Sequence, residues 1–102
     1  MRSFLISDNK DTWVGMSLVG IAGVVVHTKE DVLSAINEVF ADDTIGILML
    51  TEKIVDLAPD EILEFKFRKT IPMIIEIPDR HGTTREEDNI AKYIKESVGI
   101  RI

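Results

Sequence analysis

Four apolar runs, Phe4-Leu5-Ile6, Val24-Val25-Val26, Ile45 to Leu50 and Met73 to Ile77, recur at intervals of twenty-odd residues, and none alternates regularly with polar residues. A strand with one face in water alternates, whereas a parallel strand covered on both faces reads as a continuous branched-aliphatic run. Helical signals fill the intervals. The chain is therefore predicted to be an α/β protein with the order β-α-β-α-β-α-β-α.

Right-handed crossovers place helices on both faces of such a sheet, which gives a three-layer sandwich. The expected strand order is 2-1-3-4, a shortened flavodoxin-like arrangement. Residues 1–102 read as one domain, because no Pro-rich or Gly/Ser-rich linker, repeat or low-complexity tract divides them.

Asp11 is the expected cap of a first helix running to about Val19, with Gly20 and Gly23 turning the chain into strand two. Thr28 and Asp31 form a Thr-x-x-acid start to the second helix, where Val32, Leu33, Ile36, Val39 and Phe40 recur with helical period. Thr51 is the expected cap of a third helix through Ile54, Val55 and Leu57. Pro59 breaks it and suits the first turn of a continuation through Ile62 and Phe65. A last helix is expected over about 84–98, with Ile90, Ile94 and Val98 on one face, followed by a short apolar tail.

Composition narrows the functional classes. Net charge is −6 and no block of Lys and Arg could track a phosphate backbone, which disfavours nucleic acid as a partner. The longest apolar stretch, Val14 to His27, is broken by Gly15, Gly20 and Gly23 and falls short of the roughly 20 residues needed to span a bilayer. Direct membrane insertion is not expected. The N-terminal apolar run stops at Asp8, too early for a signal-peptide core. The chain has no Cys, which fits a cytoplasmic location and excludes disulfides and thiolate metal sites.

Ligands of open parallel sheets gather at the carboxyl ends of the strands, here Ser7 to Thr12, His27 to Lys29, Thr51-Glu52 and Pro78 to Thr84. Asp8 and Asp11 could suggest the magnesium site of a response-regulator receiver, but capping and turn formation are the preferred reading. A receiver also needs a phosphoacceptor Asp after the third strand, where Thr51 and Glu52 stand, and a Lys after a fifth strand, for which no fifth apolar run exists. No phosphate-binding Gly motif occurs. His27 and His81 end different strands without metal-ligand spacing. No catalytic residue, metal ligand or cofactor is therefore assigned.

Two segments look suited to partners. Pro78, Asp79, Arg80 and His81 form a rigid, polar loop after the last strand, readable as a partner-facing loop or as a plain turn. The C-terminal segment carries Ile90, Tyr93, Ile94, Val98, Ile100 and Ile102, more apolar side chains than one core stripe uses. They fold back on their own domain or dock into another chain. Trp13 and Met16 pose the same question near the first helix.

Three fragments in order resemble the F subunit of the V-type and archaeal A-type rotary ATPases: Ser7 to Thr12 leading to Leu18-Val19-Gly20-Ile21, Ile45 to Glu52, and Ile71 to Gly82. One departs from the family's Gly-Phe-Arg-Leu-Ala-Gly by reading Gly15-Met16-Ser17-Leu18-Val19-Gly20, so a role tied to that Phe or Arg does not carry over. The resemblance implies a non-catalytic central-stalk subunit. Its implied partner is the coiled-coil D subunit of the stalk, with contact to the catalytic A and B subunits and to membrane-sector subunits possible. It would help couple ATP turnover to proton or sodium movement, peripheral to the membrane. The alternatives are a receiver-like signalling module and a phosphocarrier using His81.

Overall fold

The computed structural model describes residues 1–68 and 70–78. Their elements alternate as β1 (Arg2–Ser7), α1 (Lys10–Leu18), β2 (Ala22–Val25), α2 (Lys29–Phe40), β3 (Ile45–Thr51), α3 (Glu52–Leu57), α4 (Pro59–Arg68) and β4 (Met73–Ile77). The strands form one parallel sheet in the expected order β2-β1-β3-β4. The expected helix over about 84–98 lies outside the described residues.

The register explains the continuous apolar runs of the central strands. Phe4, Leu5 and Ile6 of β1 lie between Ala22, Gly23 and Val24 on one side and Leu48, Met49 and Leu50 on the other. Successive side chains point to opposite faces, so an unbroken run feeds both layers. Ile6, Leu48 and Leu50 meet Val32, Ile36 and Val39 of α2, Ile54 of α3 and Ile62 of α4, all fully or almost fully buried. Phe40 and Phe65 close that core with ring centroids 4.9 Å apart and planes tilted by 56°, an edge-inclined pairing that aromatic quadrupoles favour. Leu5, on the opposite face, is also fully buried.

The edge strands behave differently. Met73 and Ile75 of β4 are exposed, as are Ala22 and Val24 of β2, although their sequences read as doubly covered. A continuous apolar run reports the absence of polar alternation, not the presence of a neighbour on each side.

Local chemistry corrects three expectations. Asn9, not Asp11, caps α1: its Oδ1 accepts the Thr12 N–H at 2.7 Å, while Asp11 sits in the first turn, where its charge favours the helix dipole. Gly20 alone makes the turn out of α1. With φ at +87° it places its N–H on Ser17 O at 3.0 Å and the Ile21 N–H on Met16 O at 3.0 Å, a Schellman closure. Gly23 belongs to β2 instead. A Cβ there would lie 2.7 Å from the backbone oxygen of Leu5, so only glycine allows β2 and β1 to approach this closely.

The third correction concerns Thr51. It occupies the N-cap position of α3 but makes no capping hydrogen bond with its side chain. Thr28 does cap α2, accepting the Asp31 N–H at 3.2 Å. The predicted break at Pro59 is present, with α3 ending at Leu57 and α4 beginning at the proline.

Candidate functional site

The carboxyl ends of the two central strands bring Ser7, Asp8 and Asn9 against Thr51 and Glu52. Ser7, Thr51 and Glu52 are buried, an unusual concentration of polar side chains in so small a core. Each hydroxyl is satisfied. Ser7 Oγ donates to Asn9 O at 2.8 Å and accepts the Asn9 N–H at 3.0 Å, which folds the chain sharply after β1. Thr51 Oγ1 donates to Asp8 Oδ1 at 2.7 Å and accepts the Asp8 N–H at 3.3 Å. Asn9 Nδ2 donates to the same Asp8 oxygen at 3.2 Å.

This network fixes the first loop against β3. It offers no acidic cluster for a cation: among the described residues, no three His, Cys, Asp or Glu side chains come together. Asp8 holds the first loop through Thr51 and Asn9, and Asp11 sits in the first turn of α1. His27, after β2, is exposed.

Two ion pairs brace the scaffold. Arg2 donates to Asp42 Oδ2 at 2.8 Å and to Thr44 Oγ1 at 2.9 Å, tying the start of β1 to the loop before β3. The Thr44 hydroxyl and N–H, followed by the Arg2 guanidinium, hold the Asp42 carboxyl below its ordinary value of 3.8. Lys29 pairs with Glu61, linking the first turns of α2 and α4 and lowering the Glu61 carboxyl from 4.5.

On the second layer, α1 touches β1 and β2 but buries none of its residues completely. Trp13 and Met16 are half-buried, and the Trp13 indole donates to Gly23 O at 3.0 Å beside the edge strand. Leu18 and Val19 face outward at 82% and 72% exposure, which distinguishes this surface from the buried stripe of α2. Sequence reasoning did not single them out. An apolar helix without a 3.6-residue stripe was the available signal.

Of the sequence-predicted partner residues, Pro78 is exposed immediately beyond β4. Asp79, Arg80, His81, Ile90, Tyr93, Ile94, Val98 and Ile100 lie outside the described residues. No helix among the described residues is long and apolar enough to cross a membrane.

Comparison with known proteins gives a consistent match over nearly the whole chain. Residues 4–94 match the family described as ATP synthase (F/14-kDa) subunit. The chain is 37% identical over 99 residues to the F subunit of the A-type ATP synthase of Methanosphaera stadtmanae, covering 95% of this chain and 92% of that one. It is 35% identical over 96 residues to the corresponding F subunit of Methanothermobacter thermautotrophicus, covering 92% and 90%. Identity to the F subunit of Methanocaldococcus jannaschii is 29% over 101 residues, with 98% and 97% covered.

Proposed function

The chain belongs to the ATP synthase (F/14-kDa) subunit family, and on that basis we propose that it is a non-catalytic central-stalk subunit that binds the coiled-coil D subunit. As a subunit of a rotary ATP synthase it has other subunits of the complex as partners. In this reading, ATP turns over on the A and B subunits, and the stalk transmits that turnover to proton or sodium movement through the membrane sector. The domain comprises residues 1–102, with the segment at about 84–98 as its principal contact.

The observation that carries the reading is the extent of the family match. It runs through residue 94 and so takes in the loop at Pro78 to His81 together with Ile90, Tyr93 and Ile94. Apolar anchors commonly supply most of an interface's energy, whereas exposed charges mainly set register and association rate. Hence Ile94→Asp and Tyr93→Ala should weaken binding to the purified D subunit more than Arg80→Ala does. Co-purification of the two chains as a tight one-to-one complex is the expected result. Native-like circular dichroism together with unchanged affinity in both C-terminal variants would remove the assignment.

A further inference from the structure

At the end of β4 opposite Pro78, the turn from α4 presents a surface of different character. Residues 66–69 read Lys-Phe-Arg-Lys, the densest run of cations in a chain whose net charge is −6. The Phe67 side chain is turned outward, 83% exposed, one helical turn from the exposed Leu63. Ile71 and Met73 are exposed at 49% and 52%. Phe67 and Met73 share a groove of ≈ 500 Å³ with Lys66, Arg68, Thr70 and Pro72. Single exposed apolar residues are ordinary, but a group of them around one groove marks an interaction surface.

The rim charges indicate what fits there. Arg68 stacks over the Phe65 ring at 4.5 Å and approaches Glu64 at 3.9 Å, which holds the guanidinium at the rim while leaving about half of it open. Elsewhere the excess of carboxylates repels an acidic partner. The groove is a local exception, so its charge would orient a partner as well as attract one. Beside it, β4 is an edge strand that pairs with β3 alone among the described residues.

We propose that this groove docks an acidic, aliphatic segment of another subunit of the ATP synthase complex. Aliphatic side chains pack on Phe67 and Met73, and flanking carboxylates meet Lys66 and Arg68. The proposal rests on membership of a multisubunit complex and not on the identity of the partner at residues 84–98.

The test is photo-crosslinking in the assembled complex with Phe67→p-benzoylphenylalanine, its fold verified by circular dichroism. The expected product joins residue 67 to a peptide of a different subunit in which acidic residues outnumber basic ones. Lys66→Glu with Arg68→Glu should lower its yield about tenfold or more, because reversing both charges sets like charges against the partner's carboxylates. Added salt should lower it as well. A product within residues 79–102 of the same chain, with a second copy, or with a segment lacking an acidic excess overturns the proposal. So does no product at all, or an unchanged yield in the double variant. Failure of the purified D subunit to bind the chain would instead sink the stalk assignment and leave this crosslink result standing.

Discussion

Thr51 Oγ1 donates to Asp8 Oδ1 at 2.7 Å across 43 positions of sequence, joining the carboxyl ends of the two central strands. The Asp8 N–H returns to the same hydroxyl at 3.3 Å. Removing that hydroxyl leaves a charged acceptor with one protein donor fewer. Thr51→Val is expected to destabilise the protein by about 1.5–3 kcal/mol, the range for hydrogen bonds to charged groups. Urea denaturation should show a lower midpoint at an unchanged slope. A midpoint equal to that of the parent would mean that the bond contributes nothing.

Gly23 and Gly15 should respond in opposite directions to alanine. At Gly23 the new methyl meets Leu5 backbone, which cannot move aside cheaply, and a loss of about 1–3 kcal/mol is expected. At Gly15, within α1, nothing among the described residues would lie within 4 Å of the new methyl, so alanine should stabilise by about 0.5–1 kcal/mol through helix propensity. Thermal unfolding of both variants ranks them directly, and the reverse order would contradict the β1–β2 packing.

The two apolar helices should differ in sensitivity as well. Ile36→Ala empties a fully buried site and is expected to cost about 2–5 kcal/mol. Leu18→Ala changes a side chain that is 82% exposed, and its effect should stay within about 0.5 kcal/mol. A large loss at Leu18 in the isolated protein would place α1 in the core.

Acid should weaken the two braces. Asp42 and Glu61 have folded values below their ordinary 3.8 and 4.5, so each contributes stability above those values. That contribution is lost as pH falls through the lowered ones. Both carboxylates are about one-third exposed, so the effect should be small and should shrink with salt. Asp42→Asn combined with Glu61→Gln is expected to flatten the acid limb of a stability-versus-pH curve. An unchanged limb would assign the acid sensitivity elsewhere.

Phosphoryl transfer tests the receiver and phosphocarrier alternatives separately. Incubation with a small phosphodonor and magnesium should leave the intact mass unchanged, because Thr51 occupies the phosphoacceptor position and its hydroxyl is engaged by Asp8. A stable phosphoryl adduct would overturn the stalk assignment in favour of a signalling or carrier role.

The four strands, their parallel pairing and the inward stripe of α2 were legible in the sequence because each is a local, periodic signal. Val32, Ile36 and Val39 recur on one face of a helix, and Ile45 to Leu50 has no polar position to turn towards water. Tertiary structure decided what depends on distant neighbours. It sent the Thr51 hydroxyl to Asp8 rather than to a helix cap, required glycine at position 23 because Leu5 backbone lies against it, and left Leu18 and Phe67 facing outward. Spacing along the chain specifies the side of an element on which a residue falls. Only the packed sheet determines which atoms, if any, wait on that side.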